Sequence, residues 1–139
     1  MQRVLLDTNV ILDFALEREK FVEDAEKILR LAFTGYLKAF ITATTVTDIF
    51  FIVKKHKNKL MAMEFLTELI GFVDISDVNK KVVLESLKSE FTDIEDAIQE
   101  FSARNNNIYT IVTRNTNDFR KSELQILTPK EFLKINHKN

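Results

Sequence analysis

The chain has 139 residues with a formal net charge of −1, 45% hydrophobic and 29% charged. That size suits one globular domain, expected here over residues 1–135, with a short polar tail at 136–139. The balanced charge excludes a protein that coats nucleic acid through bulk positive charge, and the absence of Cys excludes disulfides, thiolate zinc sites and a cysteine nucleophile.

Short apolar runs alternate with longer stretches of helical period, the pattern of parallel βα units. In chain order the strands are expected at 4–6, 39–41, 72–75, 109–112 and 125–127, and the helices near 9–17, 21–33, 44–56, 58–70, 78–90, 93–104 and 129–136. The segment 21–33 repeats apolar residues at Phe21, Val22, Ala25, Ile28, Leu29, Ala32 and Phe33, one face of a helix. Capping boxes are expected at Thr92/Glu95 and Thr128/Glu131, with Pro129 in the first turn after Thr128. Gly35 and Gly71 fall where helices should end. More helices than strands implies a small parallel sheet covered on both faces, an α/β/α sandwich of about five strands. No apolar run approaches the ~20 residues of a membrane span. The N-terminus has no signal-peptide pattern, so a cytoplasmic protein is expected.

In such a sheet, sites form at the carboxyl ends of the strands. Asp7 directly follows the first strand, and Asp48 lies early in the helix after the second. Asp93 and Asp96 open the helix before the fourth strand, and Asn115 and Asp118 follow that strand. Residues more than a hundred positions apart are thus expected at one edge. Clustered carboxylates repel, and a hard divalent cation such as Mg²⁺ relieves the repulsion and can activate water against a phosphodiester. Such chemistry needs no His, Cys or Ser. Each acid also has an ordinary use: Asp7 as a helix cap, Asp48 and Asp93 as partners of helix dipoles, Asp118 as a turn residue. On the ion-free protein, Asp7→Asn is expected to relieve repulsion and cost no stability.

The segments Leu6-Asp7-Thr8-Asn9-Val10-Ile11-Leu12-Asp13, Thr45-Val46-Thr47-Asp48, Asp93-Ile94-Glu95-Asp96-Ala97-Ile98-Gln99 and Ile111-Val112-Thr113-Arg114-Asn115-Thr116-Asn117-Asp118-Phe119 resemble the PIN domain family over nearly the whole chain. The closing Leu127-Thr128-Pro129-Lys130-Glu131-Phe132-Leu133 resembles a bacterial branch rich in VapC-type toxins. The resemblance implies a Mg²⁺- or Mn²⁺-dependent ribonuclease, in many relatives a toxin held inactive by a small antitoxin, and often a homodimer. It assigns the catalytic and metal-binding acids to Asp7, Asp48 and Asp96, with Asp93 or Asp118 adding charge. Asp48 stands where the family more often has Glu, and Asn115 stands at its fourth acid. Thr8 and Asn9 match positions that orient the first acid, and Asp13, Arg114 and Asn115 are expected to support it. RNA contacts are expected from Arg114, Arg120 and Lys121, and from Lys54 and Lys55 in the run 54–59. Phe50, Phe51, Ile52, Met61, Met63 and Phe65 supply the apolar surface for the dimer.

Three other readings compete. A receiver-type phospho-acceptor wants an acidic pair after the first strand, where Asp7 stands with Thr8 and Asn9. A haloacid-dehalogenase-type phosphatase wants Asp-x-Asp, and Asn9 breaks it. A PIN scaffold that binds RNA or protein without cutting is kept open by Asn115.

Overall fold

The computed structural model describes residues 1–136; the rest of the expected tail, 137–139, lies outside the described residues. The elements run β1 (Gln2–Leu6), α1 (Thr8–Ala15), α2 (Val22–Phe33), β2 (Leu37–Thr42), α3 (Ala43–His56), α4 (Lys59–Ile70), β3 (Asp74–Ser76), α5 (Lys80–Leu87), α6 (Ile94–Asn105), β4 (Thr110–Val112), a 3-10 turn (Thr116–Phe119), β5 (Gln125–Leu127) and α7 (Pro129–Ile135). All five expected strands form one sheet in the order β3-β2-β1-β4-β5, with every neighbouring pair parallel.

Alternation along the strands divides the core between the two faces of the sheet. Val4, Leu6, Ala39, Ile41 and Val112 join one cluster, which takes in Val10 and Ile11 of α1, Ile28 of α2, Ile49 of α3, Ala62 of α4 and Phe132 of α7. Leu5, Phe40 and Ile111 belong to a second, smaller cluster with Ala103 of α6, Ile108 and Phe119. The layers are therefore unequal, as a surplus of helices demands. Where the thin face ends, Arg3 lies 4.7 Å over the Phe40 ring.

The helix starts are set by side chains. Thr42, Asn58 and Asn79 cap α3, α4 and α5. Thr128 and Glu131 form the expected capping box of α7, with Pro129 at its first position. The box expected at Thr92/Glu95 does not form. Asp93 takes the cap instead, accepting from the N–H of Glu95 at 2.8 Å and of Asp96 at 3.1 Å. This shift of one residue moves Glu95 out of capping range, and its side chain is left for another use.

Other boundaries moved for local reasons. The N–H of Val73 bonds back to Leu69, so the strand expected at 72–75 starts at Asp74. α1 stops at Ala15, since Glu17 takes a left-handed φ of 50°. α5 is shorter than the helix expected over 78–90. Gly35 sits just past α2 with φ 85°, a conformation that costs a side chain dearly.

Ile41 has no exposed surface at the middle of this frame. Ile41→Ala should lower unfolding free energy by about 2–5 kcal/mol. Urea denaturation followed by circular dichroism checks the figure.

Candidate active site

The strand order reverses beside β1: β2 and β3 lie to one side of it, β4 and β5 to the other. A crevice opens at the carboxyl ends of adjacent strands at such a point. Asp7 directly follows β1 there, its N–H bonded to the carbonyl of Val112 in β4 at 2.9 Å. Its carboxylate is buried and accepts four hydrogen bonds. Oδ1 takes the N–H of Thr8 (2.7 Å) and the amide of Gln99 (3.0 Å). Oδ2 takes the amide of Asn9 (3.2 Å) and the hydroxyl of Thr113 (2.7 Å). The Thr8 hydroxyl meets that of Thr45 at 2.9 Å, tying α1 to α3.

A cavity of about 250 Å³ over this carboxylate is lined by Asp7, Asp48, Glu95, Asp96, Asn115 and Asp118, with Thr8, Asn9 and Gln99. A second cavity of about 250 Å³ shares Asp96 and Asp118 with it and adds Asp93, Arg120 and Lys121. A larger cleft, about 720 Å³ between α2 and α7, carries Lys27, Arg30, Lys130 and Lys134 against one acid, Asp24, and lacks the site's chemistry.

The crowd of acids raises the affinity of two of them for protons. Burial, then a hydrogen bond with Asp48, then the charges of Asp48, Asp7 and Asp93 push Glu95 from its ordinary 4.5 to about 8. Burial, then the charges of Asp7, Asp93 and Asp118, push Asp96 from 3.8 to about 7. The Glu95–Asp48 contact is acid against acid, so it is a hydrogen bond only while a proton is shared.

Among the described residues no three acidic or histidine side chains stand close enough, as arranged, to hold one ion. The donor set nonetheless fits a hard divalent cation. Every candidate ligand is an oxygen. Among the described residues, the buried side-chain atoms without a hydrogen-bond partner are Glu95 Oε2 and Gln99 Oε1, and both residues line this cavity.

The other expected site residues have distinct positions. Asp13 is buried and receives Arg114 through two bonds, 2.6 and 3.1 Å, and Arg18 at 3.2 Å. Arg114 lies 4.0 Å from the centre of the Phe21 ring. Its guanidinium is committed to Asp13, which argues against the RNA contact expected of it; the backbone N–H of Arg114 instead holds Asn9 Oδ1 at 3.3 Å. Arg120 and Lys121 flank the acids, with Lys121 also 3.6 Å from Glu90. Lys54 and Lys55 are exposed in the last turn of α3 and line neither acid cavity.

Sequence reasoning did not single out Glu95, Gln99 or Thr113. Gln99 was within reach, because it stands three residues after Asp96 on the same helix face. Glu95 was hidden by its apparent place in a capping box.

The four donors revise the expectation for Asp7→Asn. An asparagine there would turn its own NH₂ against two donors, which costs stability. For Glu95 and Asp96 the sign is different. Both have raised values in the folded state, so their stabilisation is complete at low pH and is lost as pH rises from about 4 to about 8. In EDTA the melting temperature should fall over that window, and Glu95→Gln should flatten the fall. Melting curves from pH 5 to 8.5 measure both.

Residues 3–117 match a family model for the PIN domain. No curated protein matches the chain in sequence. Among solved structures the fold is similar to VapBC2 from Rickettsia felis bound to a fragment of its promoter DNA, at 20% identity over 91% of this chain and 97% of that one, TM-score 0.68. It is also similar to a toxin–antitoxin complex from Klebsiella pneumoniae, at 22% identity over 91% and 97%, TM-score 0.68. VapBC-1 from nontypeable Haemophilus influenzae matches at 19% identity over 93% and 99%, TM-score 0.69. At such identities the structural likeness is one of fold, and the family rests on the sequence model. That model spans most of the chain, from β1 through Asp7, Asp48 and Asp96 to Asn115, and the chain belongs to the PIN domain family.

Proposed function

We propose that this protein is a divalent-metal-dependent endoribonuclease, the toxin of a toxin–antitoxin pair, acting in the cytoplasm through one nuclease domain over residues 1–135. The observation that carries the reading is the gathering of Asp7, Asp48, Glu95, Asp96 and Asp118 around one cavity at the sheet's reversal point. Asp7 and Asp96 would hold Mg²⁺ or Mn²⁺, with Asp48 assisting. A bound cation supplies Lewis-acid activation of water and stabilises charge developing at phosphorus. The chain's own part is to hold Asp7 by its donors and to offer Arg120 and Lys121 to RNA phosphates beside the acids. Phosphodiester cleavage requires a site that tolerates an anion next to carboxylates, and this cationic rim meets that need.

An antitoxin partner is supported by the company the fold keeps, since the similar structures named above include toxin–antitoxin complexes. A catalytically silent scaffold that binds RNA or protein is the second reading. Asn115 in place of the family's fourth acid, and acids that do not close on one point, favour it.

Asp96→Asn is the sharper catalytic test, because Asp96 already holds its proton up to about pH 7 when the ion is absent. It should reduce Mg²⁺-dependent RNA cleavage at least ~100-fold, the upper end of what even an outlying partner of a metal costs. It should leave the EDTA-treated protein as stable or more so. Cleavage that persists in EDTA, or in Asp96→Asn, rejects the metal-dependent mechanism. RNA binding with no cleavage in Mg²⁺ or Mn²⁺ selects the scaffold.

We also propose a homodimer through α3 and α4. Phe51, Met61 and Met63 are exposed there, with Leu60 beside them. Phe50, Ile52 and Phe65 instead pack against the core, Phe65 with its ring 6.1 Å from that of Phe14. Light scattering at micromolar concentration should give twice the chain mass, and Phe51→Glu should halve it.

A further inference from the structure

The four groups that hold Asp7 are unequally committed. The N–H of Thr8 belongs to the first turn of α1. The Thr113 hydroxyl donates to Asp7 and accepts the N–H of Asn115 at 3.0 Å. The Asn9 amide reaches Asp7 and Thr113, and its oxygen accepts the N–H of Arg114. Each is held by a second bond or by the backbone. Gln99 has no such hold. It is 1% exposed, its amide nitrogen donates to Asp7 Oδ1, and its Oε1 has no partner among the described residues. A buried amide oxygen left unpaired is costly, and here it sits in a residue that lines the acid cavity.

A carboxylate offers about four acceptor positions, and those of Asp7 are all filled. Any cation that Asp7 binds must take the place of one donor. Gln99 is the donor with least to lose. Its terminal torsion is soft and roughly two-fold, so a half-turn exchanges NH₂ for oxygen at nearly constant shape. Amide oxygens are accepted ligands of hard cations. Gln99 also shares a helix face with Glu95 and Asp96, and a neutral ligand adds no charge to a crowded acid cavity.

Resting on the metal-dependent reading of this site, we propose that Gln99 changes roles when a divalent cation binds: its amide releases Asp7 Oδ1, and its Oε1 joins Asp7 as an oxygen ligand. Gln99 thereby supplies part of what Asn115 and the short Asp48 do not.

Two measurements on the intact chain test this. The side-chain amide resonances of Gln99, identified by their loss in Gln99→Leu, should shift as Mg²⁺ is added, with the midpoint that calorimetry gives for Mg²⁺ binding. Resonances that stay in place while the ion binds overturn the proposal. Calorimetry with Mn²⁺ should show Gln99→Leu weaker than the parent by about 10-fold or more. Gln99→Glu, which keeps the oxygen and loses the donor, should bind at least as tightly as the parent. Equal or tighter binding by Gln99→Leu means that Gln99 only competes with the ion for Asp7, and the idea fails. Weakening in Gln99→Glu means that the donor is what matters, and it fails again. Should Gln99→Leu not fold, Gln99→Glu and the parent's resonances, then assigned through the backbone, decide. A parent chain that binds neither ion rejects the metal-dependent function and this inference together, whereas a parent that binds beside an indifferent Gln99→Leu rejects the inference alone.

Discussion

The saturated carboxylate of Asp7 is the constraint around which the site is built. It stands at the reversal of strand order, and its partners come from three separate parts of the chain: Thr8 and Asn9 at the start of α1, Gln99 in α6, and Thr113 after β4. A carboxylate buried without donors would be neutral and useless as a ligand. Four donors keep its charge affordable inside the protein, and they also register β1, β4 and α6 against one another. The closure of the sheet beside β1 brings Thr113 to Asp7, and the packing of α6 brings Gln99 to it.

A second charge arrangement protects the first. Asp13 lies one and a half turns further along α1, buried, with Arg114 and Arg18 closed on it. Arg114 is stacked on Phe21 and passes its backbone N–H to Asn9. Pairing a buried charge offsets much of its desolvation, and removing one partner is strongly unfavourable. The pair thus fixes the loop after β4, which carries Asn115 and Asp118, against the helix that starts at Asp7. Asp48, Glu95 and Asp96 make no such ion pair among the described residues. Burial first, and then the charges of neighbouring acids, make Glu95 and Asp96 hold protons strongly. One group of acids is neutralised for structure, and the other is kept under tension where a cation can relieve it.

Much of this was legible before any coordinates. Hydrophobic period located every strand and helix, because two unequal helix layers around a parallel sheet leave long amphipathic stretches and short apolar ones. The rule that sites lie at strand carboxyl ends brought Asp7, Asp48, Asp96, Asn115 and Asp118 to one cavity. What stayed hidden depended on single-residue geometry. Thr92 and Asp93 are both good caps, and only the backbone decides between them; the choice of Asp93 turns Glu95 from a cap partner into a cavity acid. Asp13 and Arg114 are both expected to support the site and Arg114 also to touch RNA, but the burial of Asp13 that commits the guanidinium to it is invisible in the local pattern. The 3-10 turn at Thr116–Phe119 follows from burying Phe119 in the thin face, and no periodicity announces four residues.

The cavity draws its residues unequally from the elements around it. α3 contributes the short acid Asp48 and the loop after β4 the uncharged Asn115, whereas α6 offers Glu95, Asp96 and Gln99 within two turns. α6 is also the helix whose cap, Asp93, spends its carboxylate on backbone N–H groups and so leaves the acids after it free. The helix packs on the thin face through Ala103, and Glu100 holds it to the loop before β5 by bonds to Ser122 and to the N–H of Glu123. An element so anchored can carry closely spaced acids without being pushed away by them. α6 thus brings Glu95, Asp96 and Gln99 to the cavity over Asp7.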